Sequence, residues 1–264
     1  FTTVQVTRRI GRSMLNKVPE VTLVFWLIKI MSTTVGETGA DYLAVHVGLG
    51  TSVTGLIMAA LLAAVLAVQL RMGRYVPWVY WLTVVLVSIV GTQITDALTD
   101  KLEISLYVST ALFATALAAT FAIWFAVERT LSIHSIVTTR RELFYWAAIL
   151  FTFALGTAAG DLATEALGLG FNVGVVVFMA LIAGVTAAYA LGANEVLAFW
   201  IAYILTRPLG ASFGDMLSQS RDYGGLGFGT IYTSLAFLAV IAALVGWLSF
   251  ADGSERTPEA SPRA

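Results

Sequence analysis

The chain has 264 residues, 58% of them hydrophobic and 12% charged, with a mean hydropathy of +0.85. Soluble domains carry about 25% charged residues, so this composition excludes an ordinary water-soluble fold. A net charge of −1 offers no basic surface to nucleic acid, and the lack of cysteine excludes disulfides, thiolate metal sites and cysteine nucleophiles.

A membrane span needs about 20 mostly apolar residues. In chain order, eight stretches qualify: roughly 21–43, 52–70, 77–98, 104–127, 143–164, 173–192, 196–218 and 230–250. The expectation is an all-α integral membrane protein with one transmembrane domain over residues 20–250. Residues 1–19 precede it as a cytoplasmic leader. There Val4, Val6, Ile10 and Met14 interleave with Arg8, Arg9 and Arg12, which suits either an interfacial helix or an unstructured basic segment. The first 20 residues show no short apolar core before a cleavage site, so no cleaved signal is expected. The tail, 251–264, is polar and rich in Pro and Ser, the composition of a disordered segment.

Lys and Arg in short loops set orientation. Arg8, Arg9, Arg12 and Lys17 precede the first span; Arg71 and Arg74 follow the second; Arg129, Arg140 and Arg141 follow the fourth. The opposite connections hold only Lys101 and Arg221. Both termini are therefore expected in the cytoplasm.

Four stretches align without a gap: FWLIKIMSTTVGETGAD (25–41), YWLTVVLVSIVGTQITD (80–96), YWAAILFTFALGTAAGD (145–161) and FWIAYILTRPLGASFGD (199–215). Each opens with an aromatic residue and Trp (Trp26, Trp81, Trp146, Trp200). Gly follows ten residues after the Trp (Gly36, Gly91, Gly156, Gly210), and Asp fifteen after it (Asp41, Asp96, Asp161, Asp215). Gly-Leu-Gly recurs at Gly48–Gly50, Gly168–Gly170 and Gly225–Gly227. The repeats run over about 20–73, 75–130, 140–193 and 194–250. Each crosses twice, so all begin on one side, and four parallel repeats imply pseudo-symmetry about the membrane normal.

Asp is costly in hydrocarbon, and intramembrane acids usually face a bundle interior or a pathway. Four at one depth need a bound cation, protons or basic partners. Glu37, Thr92 and Thr157 lie one turn before the acids, with Thr38, Gln93 and Ser212 beside them. Residues three and four apart share a helix face. Such an oxygen-rich face, without sulfur or imidazole, suits hard cations. The competing reading puts each Asp about 20 residues, or roughly 30 Å, from its helix start, where it caps a turn at the outer interface.

The Gly set suits close helix packing, and the Trp pairs suit an interfacial aromatic belt. Lys29 is expected to snorkel inward and, with Arg207, to serve in an ion pair or a gate. Arg207, followed by a helix-kinking Pro208, is expected to pair with an Asp of the ring or with Glu37. His134 is read as a solvated loop residue, and His46 as an outer-face residue with a weaker claim to be an entry ligand.

The phrases NKVPEVTLVFWLIKI (16–30), ERTLSIHSIV (128–137), FYWAAILFTFALGTAAGDL (144–162) and FWIAYILTRPLGASFGD (199–215) resemble a bacterial family of polytopic membrane proteins. That family is defined by a repeat of unknown function and labelled uncharacterised membrane-anchored protein. The resemblance spans residues 16–250 and implies a bacterial inner-membrane location; it brings no activity. The second repeat departs most, with Thr95 before its Asp and Asp100, Lys101 and Glu103 after it.

The expected function is a transporter or channel for a hard cation, most of all Mn²⁺ or Mg²⁺, with proton-coupled efflux as one mode. Asp41, Asp96, Asp161, Asp215 and Glu37 would bind the ion, supported by Thr38, Gln93, Thr92, Thr157 and Ser212. The partners are then membrane lipid and the cation, and the chain acts as a monomer or homodimer. The alternative is a small organic solute contacted by aromatics and Arg207. A metal-dependent membrane enzyme ranks lower, because no Ser-His-Asp set, zincin motif or nucleotide loop is visible. A structural or sensory role, with the acids serving packing, completes the set.

Overall fold

The computed structural model describes residues 16–46 and 51–255, and their side chains apart from those of 41, 44–46, 51 and 252–255. Most of the leader, residues 47–50, the side chains of Asp41 and His46, and residues 256–264 lie outside that description.

The described chain is helical throughout its regular structure: α1 (Leu23–His46), α2 (Thr51–Arg71), α3 (Pro77–Asp96), α4 (Leu106–Glu128), α5 (Thr139–Asp161), α6 (Gly170–Ala190), α7 (Glu195–Ser218) and α8 (Thr230–Glu255). Local chemistry sets several starts. Pro77 opens α3, where its missing N–H is no loss. Asn194 caps α7 by accepting from the N–H groups of Val196 and Leu197 at 3.0 and 3.1 Å. Thr138 caps α5 through the Arg141 N–H at 3.3 Å. At the other end of α4, Arg129 takes a left-handed conformation (φ 58°) that stops the helix. Single π-helical segments, Ala97–Lys101 and Leu162–Ala166, extend α3 and α5 beyond their aspartates. α7 continues as a helix through Pro208.

Seven helices among the described residues are long and apolar enough to cross a membrane. The helix α1 is not among them. Its 24 residues suffice in length, but Lys29, Ser32, Thr33, Thr34, Glu37 and Thr38 lower its hydropathy. All six are buried, so the polar face of α1 is turned inward.

The first helices of the repeats, α1, α3, α5 and α7, form a closed inner ring in which α1 packs on α3, α3 on α5, α5 on α7 and α7 on α1. Each second helix packs mainly on the first helix of the next repeat: α2 on α3, α4 on α5, α6 on α7, and α8 back on α1. Inner and outer helices differ in burial. The most apolar stretches of α3 and α5 are 61% buried, whereas those of all four outer helices are 17% buried, which leaves Leu56, Val108, Val176 and Leu235 exposed.

The repeated glycines sit where the inner helices meet. A Cβ on Gly36 would overlap the Ser88 side chain, one on Gly91 would lie 2.8 Å from Phe153 Cβ, one on Gly156 would overlap Arg207, and one on Gly210 would overlap Thr33. Ser88, Phe153, Arg207 and Thr33 all stand seven residues after their Trp. Each glycine thus admits the same position of the next repeat, and the fourth closes on the first.

The described part of the leader is anchored to the bundle. Lys17 is buried and donates to Glu142 Oε2 at 2.7 Å and to the Leu70 carbonyl at 3.1 Å, while Gln69 donates to Glu142 Oε1 at 2.9 Å. Losing the acid would strand a buried ammonium. Glu142→Ala is expected to destabilise the protein by roughly 3–5 kcal/mol, read from thermal unfolding in detergent beside Gln69→Ala, which should cost less.

Candidate functional site

The repeat turns the inner ring into layers along its axis, running from a Trp end to an Asp end. At the Trp end the aromatic pairs interlock. The aromatic residue before each Trp meets the Trp of the next repeat, with ring centroids at 5.5 Å (Phe25–Trp81), 5.4 Å (Tyr80–Trp146), 6.2 Å (Tyr145–Trp200) and 5.7 Å (Phe199–Trp26). Phe25, Tyr80, Tyr145, Trp81, Trp146 and Trp200 are buried. This differs from the expectation of an interfacial belt: the rings pack on one another inside the bundle, at the Trp end of the axis. The hydroxyls of Tyr80 and Tyr145 share a hydrogen bond of 2.5 Å across it.

Three residues after each Trp come Lys29, Val84, Ile149 and Tyr203, all completely enclosed. Lys29 stays inside the bundle. Its Nζ donates to the Tyr203 carbonyl at 3.2 Å and lies 4.2 and 4.8 Å from the ring centroids of Tyr203 and Phe153. Ring faces carry negative potential, so they compensate an ammonium that water cannot reach.

The centre of the bundle is Arg207, which is also completely enclosed. Its Nη2 donates to Glu37 Oε2 at 2.7 Å, to Thr157 Oγ1 at 2.7 Å and to Thr92 Oγ1, and Nη1 reaches the Thr33 carbonyl at 3.4 Å. Glu37, Thr92 and Thr157 stand at one repeat position, eleven residues after the Trp, where the fourth repeat has Ala211. Three repeats therefore supply oxygens at one depth, and the fourth supplies the cation from one turn below. Of the partners the sequence offers Arg207, an Asp of the ring or Glu37, the structure shows Glu37. Thr92 and Thr157 also donate to the carbonyls of Ser88 and Phe153 at 3.2 and 3.1 Å, so their hydroxyls are already committed.

Beyond Arg207 the axis turns acidic. Asp215 is buried, and Asp96 and Asp161 are half-buried. Asp161 lies in the field of Glu37, Glu165, Asp215 and Asp96. A second acidic tier follows. Glu165, which lies in the field of Glu37 and Asp100, and Asp100 itself stand four residues after the Asp of their repeats. The π-helical segments after Asp96 and Asp161 carry them, and such segments are frequent at functional sites. The four-way alignment does not single out these two, because it ends at the Asp. Extending it by one turn would have paired them. Among the described residues, no three of His, Asp and Glu are placed to hold a metal ion together.

The remaining expected ligands are spread around this region. Thr38 shares a 2.7 Å hydrogen bond with Ser234 and donates to the Thr34 carbonyl at 3.1 Å. Gln93 Oε1 and Ser212 Oγ are buried without a protein partner. Apart from the axis, a lateral cavity of about 560 Å³ opens between α1, α6 and α7, lined by Trp26, Ile30, Tyr189, Phe199, His134 and Glu195 among others.

These features define a class: an all-helical chain with the make-up of a multi-pass membrane protein, in which four two-helix repeats close around a polar axis. The chain belongs to the family described as Repeat of Unknown Function (DUF347), with matches at residues 24–75, 79–130, 144–192 and 198–254. Comparison with curated proteins gave no match, and neither did comparison with solved structures.

Proposed function

We propose that this protein is a membrane transporter or channel for a hard cation, with Mn²⁺ and Mg²⁺ as the leading candidates, which moves along the axis of the inner ring. The observation that carries this reading is the layering of charge. The Asp end holds Asp96, Asp161, Asp215, Glu165 and Asp100, and the next charged group towards the Trp end is Arg207, already engaged by Glu37. A vestibule of one sign concentrates ions of the other. In this reading the Arg207 node and the interlocked aromatics close the axis beneath the acids, and the ion enters from the Asp end. The carboxylates attract the ion still hydrated, and a tighter ligand set forms as the bundle changes state.

In this reading all eight helices span the membrane, and their parallel repeats place the pseudo-fourfold axis along its normal. Arg71, Arg74, Arg129, Arg140 and Arg141 put the Trp end in the cytoplasm of a bacterial inner membrane, with both termini on that side. One chain closes the ring, so a monomer suffices.

The test is thermal unfolding of the purified protein in detergent against a panel of metal chlorides, with Asp161→Asn beside wild type. Ligands that bind only the folded state stabilise it by mass action, about 2.7 kcal/mol at a hundredfold excess over Kd. Selective stabilisation by Mn²⁺ or Mg²⁺ that the variant loses is the expected result. No metal effect in either protein would sink the cation reading and bring forward a small organic solute. That second reading draws on the lateral cavity, whose volume and aromatic lining fit a small molecule.

A further inference from the structure

The axis holds one buried base that the proposed pathway does not use. Lys29 is completely enclosed by the bundle, and among the described residues its Nζ has one carbonyl acceptor, although an ammonium can donate three hydrogen bonds. The structure sets Arg207 and Tyr203 of α7 against it, with Glu37 two turns along α1 itself. Phe153 is shared, since Arg207 Cζ lies 5.9 Å from the ring centroid that Lys29 Nζ approaches to 4.8 Å. Two bases thus face one ring. The carboxylate bound there, Glu37, is held by Arg207.

Charges in an interior shielded from water feel one another far more strongly than in solution. While Glu37 neutralises Arg207, the guanidinium adds little net charge to the Lys29 compartment. Once Glu37 turns to another cation, Arg207 stands uncompensated beside Lys29, and the compartment tolerates one positive charge less. We propose that Lys29 is the proton site of this protein, and that a cation which takes Glu37 from Arg207 drives the proton off Lys29. The step balances without any redox change: the N–H bond of the ammonium breaks, the electron pair stays on nitrogen, and one proton leaves as one cation binds. The proposal rests on the cation reading for its trigger, and on the Lys29, Phe153 and Arg207 arrangement for its mechanism.

The chain contains three lysines, Lys17, Lys29 and Lys101, so labelling lysine with ¹³C at Cε gives three resonances, and Lys29→Gln assigns the one in question. In the full-length protein in detergent, the Lys29 resonance should titrate with pH. At a given pH it should be less protonated in Glu37→Gln, where Arg207 has lost its acid without any metal present. Adding diamagnetic Mg²⁺ to wild type should shift it the same way, and Mg²⁺ or Mn²⁺ should release about one proton to the medium. Lys29→Gln should bind Mn²⁺ while releasing about one proton fewer. A Lys29 resonance that is unchanged by pH and by Glu37→Gln would overturn the proposal, with no reference to metal binding. A resonance that responds to Glu37→Gln in a protein that binds no metal would uphold the Lys29–Arg207 coupling and reject the cation reading alone. Should Lys29→Gln fail to fold, assignment passes to Lys17→Gln and Lys101→Gln by elimination.

Discussion

Arg207→Met should destabilise the protein by roughly 3–5 kcal/mol, the usual result of removing one partner of a buried ion pair. The substitution leaves the Glu37 carboxylate inside the bundle and removes the donor shared by Thr92 and Thr157. Those hydroxyls keep their bonds to the Ser88 and Phe153 carbonyls, so the stranded acid dominates the loss. Glu37→Gln in the same protein should therefore recover a large share of the stability, because an unpaired amide is far cheaper to bury than an unpaired charge. Arg207→Lys should fall between the two, since lysine keeps the charge but lacks the planar fork that reaches several oxygens at once. Thermal unfolding in detergent of the two single variants and the double variant gives the coupling directly. Additive effects would mean that Arg207 and Glu37 do not act as a pair.

The second large effect should come from the glycine ring. Gly156→Ala would drive a methyl group into Arg207 and to 3.1 Å from Pro208 Cδ, and Gly91→Ala would set one 2.8 Å from Phe153 Cβ. Overpacking of this kind costs typically 1–3 kcal/mol, and here the obstructing atoms sit close to the backbone, where side-chain rotation brings little relief. Gly184 in α6 is the control. A Cβ there meets nothing within 4 Å, so Gly184→Ala should be neutral or gain up to about 1 kcal/mol from lower chain entropy. If both kinds of glycine respond alike, the inner helices are not packed in the order described.

Much of this protein is legible from its residues alone. Apolar runs of span length, separated by Pro, Gly and Arg-bearing turns, locate the helices, because helix formation in an apolar solvent depends on each segment satisfying its own backbone. The repeat is equally plain, since Trp, Gly and Asp recur at fixed spacing, and the family match covers the same four segments. The repeat spacing also places Glu37, Thr92 and Thr157 at one depth before any contact is known.

Tertiary structure decided which side chains meet. Sequence spacing does not say that the second helix of each repeat leans on the next repeat, so the closure of α8 on α1 emerges only from the packed bundle. The same holds for the aromatic pairs. Trp near a helix end reads equally as a lipid-facing belt or a buried seal, and only the neighbouring helices distinguish them. Lys29 and Arg207 show the limit most clearly. A base in an apolar helix is compatible with snorkelling, with pairing and with ligand binding. Its choice is set by partners more than 100 residues away in the chain, such as Glu37 for Arg207 and Tyr203 for Lys29. Local sequence determines helix, depth and face, because these follow from backbone bonding and hydropathy. Which charge is compensated, and by what, is a property of the closed ring.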